Sequence, residues 1–183
     1  MSIMLETDSL ILRTADTAFA DDLLAYYQRN QAFLAPFEPR RGAAFYTLDT
    51  QREQLRQDIA ALESRTTIRF YLFLQQAPQR LIGSIALSNI VWGCFLSCFL
   101  GYKLDGDYTN NGYMTQAIKA VSRYAFDTLR LHRIEANVIP RNLPSRRALE
   151  KCGFHNEGLS KSYLKINGVW EDHIHMVLLN DAV

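Results

Sequence analysis

Tyr108-Thr109-Asn110-Asn111-Gly112-Tyr113-Met114 joins a predicted strand to a strongly periodic helix, and the reading of this junction decides the fold. Small, flexible residues stand where backbone amides can face a ligand. Directly after them, apolar residues recur at helical spacing: Met114, Ile118, Val121, Ala125 and Leu129. A flexible loop feeding a helix N-terminus is a ready anion site, because unpaired N–H groups and the helix dipole point the same way. Diphosphate is the natural guest. The plain alternative is an ordinary turn, with Asn and Gly supplying left-handed backbone.

The rest of the chain narrows the choice. Its 183 residues, 48% of them hydrophobic, suit one domain over residues 1–183 with a core large enough to stand alone. Twenty basic and nineteen acidic residues leave a formal charge of +1, so bulk electrostatics gives no case for direct DNA recognition or an anionic membrane. Cys94 and Cys98 have CxxxC spacing, but with only Cys152 and scattered histidines beside them no structural metal site is expected. Three cysteines suit a reducing compartment. The N-terminus has acidic Glu6 and Asp8 and does not read as a signal peptide. No apolar run reaches the roughly 20 residues that cross a bilayer, so a cytoplasmic protein is expected.

Working outward from the junction, residues 94 to 103 read as the strand before it. The helix after it runs to about Leu129, and His132 to Ile139 alternates as a strand. A short helix starts near Pro144, where proline costs no hydrogen bond, and Gly153 stops it. Asn167-Gly168 signals a type I′ hairpin between strands at 160–166 and 169–179. Upstream, residues 9 to 13 form a strand. A helix capped by Asp16 or Thr17 runs to about Asn30, and another covers 48–64. Phe33 to Pro39 reads as a proline-punctuated aromatic loop. Strands at 68–75 and 80–88 flank a turn at 76–79. The order β-α-α-β-β-β-α-β-α-β-β makes a mixed α+β sheet with helices on its faces. No GxGxxG follows a strand, which disfavours the usual dinucleotide fold.

Four blocks together resemble the Gcn5-related N-acetyltransferases, and more narrowly the bacterial branch that acetylates the N-terminal residue of ribosomal proteins. They are Tyr26 to Asn30 with Phe33 to Pro39; Gly101-Tyr102 with Gly112 to Ala117; His132 to Ala136 with Pro140-Arg141-Asn142 and Ser145-Arg146; and Leu149 to Phe154 with Glu157-Gly158 and Asn167 to His173. The resemblance implies a central mixed sheet of about seven strands, helices on both faces, and a splay between the two central strands that holds acetyl-CoA. It implies backbone contacts to the pantetheine arm from Phe99, Leu100, Gly101 and Tyr102, and to the diphosphate from Thr109, Asn110, Asn111, Gly112, Tyr113 and Met114. Asn142 is placed against the pantetheine amide and Ser145 near the sulfur, where a hydroxyl can protonate the departing thiolate. Read without the family, Asn142 caps the short helix and Ser145 is a polar first-turn residue.

The chain departs from the family's diphosphate motif. Thr109 replaces the usual Gln or Arg, Met114 the usual Gly or Ala, and Asn110 a neighbouring glycine. Backbone amides supply most of that contact, so binding is expected to survive. No acidic residue lies between Phe95 and Tyr102, where many relatives carry one. An α-amine with a pKa near about 8 needs little help losing its proton. Glu38, in the aromatic loop, is the first candidate to orient it; Asp172 and His173 follow. Cys152 reads as core, so direct attack by the amine is expected rather than an acyl-cysteine.

The implied function is acetyl transfer from acetyl-CoA to the N-terminal α-amine of a protein. The resemblance points to the alanine of ribosomal protein S5, met free or on the assembling ribosome. One alternative is acetylation of a small amine such as an aminoglycoside, polyamine or amino acid. Another is a non-catalytic acetyl-CoA-binding or ribosome-assembly module.

Overall fold

The computed structural model describes residues 2–183. Among the described residues eight strands are present: β1 (Met4–Glu6), β2 (Leu10–Thr14), β3 (Ile68–Leu74), β4 (Ala77–Val91), β5 (Ser97–Leu104), β6 (Arg133–Val138), β7 (His155–Ile166) and β8 (Val169–Leu179). Five α-helices accompany them: α1 (Ala20–Arg29), α2 (Gln31–Leu34), α3 (Leu48–Glu63), α4 (Tyr113–Arg123) and α5 (Leu143–Glu150). The strands lie in the order β1-β2-β3-β4-β5-β6-β8-β7, and among the described residues only β5 with β6 is a parallel pair.

Alternation along the strands divides the core between the two faces. Phe70 and Leu72 of β3 join Ile118 and Val121 of α4 on one face; Tyr71 and Phe73 join Leu23 of α1 and Leu55 of α3 on the other. Asp58, which burial traps here, is paired, as its charge requires. Asp58 of α3 accepts from the Tyr71 hydroxyl at 2.6 Å and meets Arg69 at 3.1 Å. Gly83 permits the tight approach of β4 to β5, because a Cβ there would stand 2.5 Å from the Lys103 backbone oxygen. Gly83→Ala is therefore expected to cost about 1–3 kcal/mol of stability in urea unfolding. An unchanged midpoint would show that β5 shifts freely.

Several expectations are corrected. The sheet gains β1, which is only three residues long and is held by the Ile3 N–H to Thr14 Oγ1 bond at 3.0 Å. Phe33 to Pro39 is not irregular: α2 ends in it, and Ala35–Phe37 forms a 3₁₀ turn with Pro36 in its first positions, where the missing N–H costs nothing. The turn after β3 is Gln75-Gln76 rather than 76–79, and β4 runs on to Val91. β5 starts at Ser97, not residue 94, since Gly93 and Leu96 take left-handed backbone in the loop before it. The helix after Gly112 changes to π-helical bonding over Tyr124–Thr128. β7 begins at His155 rather than residue 160. Asn167 and Gly168 have φ of 45° and 89°, as a type I′ turn requires. No helix among the described residues is long and apolar enough to cross a membrane.

Candidate active site

The parallel contact between β5 and β6 is short. Ser97, Cys98 and Phe99 pair with Arg133, Ile134 and Glu135, and the pairing stops there. Beyond it, Leu100 to Leu104 pair only with β4, and Ala136 to Val138 only with β8. The facing edges of two central strands are thus left without ladder partners. Such an edge is a template for an extended ligand with amide groups. Leu100, Gly101 and Tyr102 lie along it, and Phe99 is the last paired residue before it; these are the residues where the pantetheine contacts were expected.

On the α4 side of the opening, Leu100 and Tyr102 face the core shared with α4 and α5. The Tyr102 hydroxyl is 2.7 Å from Ser145 Oγ and 3.2 Å from the Ser145 carbonyl oxygen. Burial pushes the Tyr102 phenol well above its ordinary value, and its bond to Ser145 only partly opposes this. The pair therefore keeps its protons at neutral pH. Ser145 is held in turn by Asn142, whose Oδ1 accepts the Ser145 N–H at 3.2 Å and caps α5. The cap uses the Asn142 carbonyl, so its NH₂ is what remains for a ligand.

Thr109 to Met114 lead into α4 on the same side. The Thr109 hydroxyl is tied to the Gly106 carbonyl at 3.0 Å, and the Asn111 side chain donates to the Thr109 carbonyl at 3.0 Å. Asn110 has φ 64° and Gly112 φ 76°, both left-handed. Gly112 is the N-cap and offers no side-chain cap; the first helical amide to find a carbonyl is that of Gln116, on Gly112. The preceding amides, including those of Tyr113 and Met114, are the first-turn donors that an anion can satisfy. The long polar side chain lost at Thr109 is thus replaced by a fold that presents backbone.

Glu38 lies on the opposite face. Its carboxylate accepts from Lys103 of β5, whose ammonium also reaches the Tyr27 hydroxyl at 3.3 Å, and Arg41 stands 3.9 Å away. The Glu38 carbonyl accepts the Asn167 N–H at 2.9 Å, so the loop is tied to the tip of the β7–β8 hairpin. Arg141 adds a second strut, bonding the Pro36 carbonyl at 3.0 Å and Glu171 at 2.8 Å. The loop and the hairpin are therefore bridged rather than separated by an open groove. Behind the bridge is a cavity of about 300 Å³ lined by Tyr27, Leu34, Glu38, Arg40, Arg41 and Tyr46, among others.

Ser145 and Glu38 thus stand on opposite faces of the sheet, with the opening between them. Asp172 and His173 are not brought into this arrangement: Asp172 Oδ1 accepts the Ser162 N–H at 2.8 Å, and His173 is buried against the Glu171 carbonyl at 3.0 Å. Burial raises the Cys152 thiol and pushes Cys98 up to about 12, so neither favours a thiolate. Lys103 and the bond from Tyr102 to Ser145 escaped the sequence reading. The alternation of β5 puts Lys103 and Tyr102 on opposite faces, but nothing in it names their partners.

Residues 9–155 match the family described as the acetyltransferase (GNAT) domain. The chain is 40% identical over 177 residues to the probable N-acetyltransferase YjcK of Bacillus subtilis, covering 97% of each. It superposes on the ribosomal-protein-S5-alanine acetyltransferase of Vibrio fischeri with a TM-score of 0.93, at 34% identity and 98% coverage of both chains. With Mycobacterium smegmatis RimJ, solved in complex with CoA-disulfide, the TM-score is 0.89 at 27% identity, covering 95% of this chain and 83% of that one. A matched family over most of the sequence, on a sheet opened between β5 and β6, places this chain in the GNAT family as an acetyl-CoA-dependent N-acetyltransferase.

Proposed function

We propose that the enzyme, acting as one catalytic domain, transfers acetyl to the N-terminal α-amine of a ribosomal protein, with the alanine of S5 as the leading acceptor. The observation that carries this reading is the slot where β5 and β6 part, because it opens to a different set of groups on each face. The coenzyme lies against the Thr109–Met114 amides and threads its thioester past Phe99–Tyr102, with Asn142 on its amides. The acceptor tail enters from the Glu38 cavity. Its neutral amine attacks the thioester carbon directly, with proximity supplying much of the rate. A backbone N–H on the open edge of β5 stabilises the oxyanion; as it collapses the C–S bond breaks, the Tyr102–Ser145 pair donates a proton to the leaving thiolate, and the attacking nitrogen gives up its extra proton to solvent, from which the pair is recharged. Glu38 orients the amine. The identity to acetyltransferases named for S5 alanine supports the choice of acceptor.

The cavity charge adds a preference. Lys103 and Arg41 offset Glu38, while Arg40 forms no ion pair among the described residues. A basic wall disfavours the protonated amine and favours acidic side chains just after it. The deciding experiment presents acetyl-CoA with peptides that vary at residue one and in charge at residues two to four, and locates the acetyl group by mass. Product on the α-nitrogen of Ala-starting peptides, fastest with acidic followers, is expected. Product confined to lysine side chains or small amines sinks the proposal.

A further inference from the structure

We infer that Ser160, His175 and Glu135 form a second nucleophilic centre, one that hydrolyses small carboxylic esters. The inference is independent of acetyl transfer to an amine. These residues lie on three neighbouring strands, β7, β8 and β6, and on the sheet face opposite the α4 core. Ser160 Oγ is 2.7 Å from His175 Nε2, and His175 Nδ1 is 2.8 Å from Glu135 Oε1. The other Glu135 oxygen accepts from Arg133 at 3.0 Å. A serine, an imidazole and a carboxylate joined in that order activate a hydroxyl on unrelated folds, and are recognised by geometry rather than by sequence position.

The carboxylate sets the tautomer. Burial alone would raise the Glu135 carboxyl, but hydrogen bonds from His175 and Arg133 outweigh it and hold the group below its ordinary value. An ionised Glu135 accepts a hydrogen bond from Nδ1–H, so Nε2 is left to accept from Ser160. The Tyr163 ring packs edge-on against His175 with centroids 5.0 Å apart and limits its rotation.

The strand is irregular at the serine. Ser160 pairs with His173 and Leu164 with Glu171, so Lys161, Ser162 and Tyr163 oppose Asp172 alone. Ser162 is left-handed at φ 50°, and its N–H goes to Asp172 Oδ1. Lys161, the residue after the serine, therefore has no ladder partner. Its N–H is the oxyanion donor, the position that the amide after the nucleophile fills in other serine hydrolases.

Ser160 Oγ attacks the ester carbonyl carbon as its proton passes to His175 Nε2. The bond to the alcohol oxygen breaks, and the leaving alkoxide takes that proton. Water then attacks the acyl-serine, His175 again accepts a proton, and the acid departs with Ser160 restored. The site is half-buried, with 20% of the His175 side chain exposed, which suits short acyl groups.

The test needs neither coenzyme nor peptide. The wild-type chain is treated with a fluorophosphonate and mapped by peptide mass, and its turnover of 4-nitrophenyl acetate is followed. Modification of Ser160 at one per chain is expected. Ester turnover should fall at least 100-fold in Ser160→Ala and His175→Gln, and about 10-fold in Glu135→Gln, with thermal midpoints checked. Labelling elsewhere, no labelling, or a Ser160→Ala variant as fast as wild type would make the cluster a structural network. Neither result bears on acetyl transfer to peptides.

Discussion

Ser145→Ala is expected to slow acetyl transfer to a peptide amine by about 100-fold, the usual contribution of a positioned proton donor. Coenzyme affinity, measured by calorimetry, should change by less than about 3-fold, since backbone amides carry most of that contact. The argument rests on the 2.7 Å contact between Ser145 Oγ and the Tyr102 hydroxyl. Burial raises the Tyr102 phenol, so it stays protonated from neutral pH into the alkaline range, and no loss of rate from its ionisation is expected there. Tyr102→Phe should produce a smaller loss of the same kind, because Ser145 retains its own hydroxyl. If binding and turnover fell in equal proportion in Ser145→Ala, the residue would be a structural part of the α5 N-terminus and not a donor.

Arg29→Met is expected to cost about 1–3 kcal/mol in urea unfolding, the scale for leaving one buried polar group without its partner, because Asp105 is buried while the Arg29 side chain is 28% exposed. Asp105 is 1% exposed and meets Arg29 Nε at 2.6 Å. Its other oxygen accepts the Asp107 N–H at 3.1 Å, which shapes the turn after β5. Arg29 also donates to the Leu81 carbonyl and sits over the Tyr26 ring at 5.5 Å. Without the guanidinium, a buried carboxylate is left uncompensated. The double change Arg29→Met with Asp105→Leu should recover much of the loss, since it removes the charge as well. A double variant no more stable than Arg29→Met would mean that shape, not charge, sets the cost. Because Arg29 ends α1 just before the Glu38 segment, the single variant should also raise the peptide KM more than the coenzyme Kd.

Much of this arrangement was legible in the chain. Gly112 and Asn167-Gly168 sit in left-handed backbone because their neighbours leave little choice. Pro144 opens α5 and Asn142 caps it for reasons local to four residues. The alternation of Arg133 to Val138 assigned each side chain a face before any partner was known. The family blocks, spread from Tyr26 to His173, carried the fold and the coenzyme.

Local pattern could not supply the contacts that make the sites. A period of 2 or 3.6 says which side of an element is buried, but not which strand lies beside it. β1 and the start of β7 are held by partners elsewhere in the chain, so residues 4–6 and 155–159 carry little signal of their own. The slot is an absence of pairing after Phe99 and Glu135, and an absence has no sequence signature. Tyr102 meets Ser145, Glu38 meets Lys103, and Glu135 meets His175 across 40 or more positions. The sequence alone determined most of the elements, their faces and the coenzyme, because these follow from short-range backbone preference and from local blocks that resemble a family. Only the tertiary structure decided which side chains touch, because register between distant strands is set by the packing of the whole sheet.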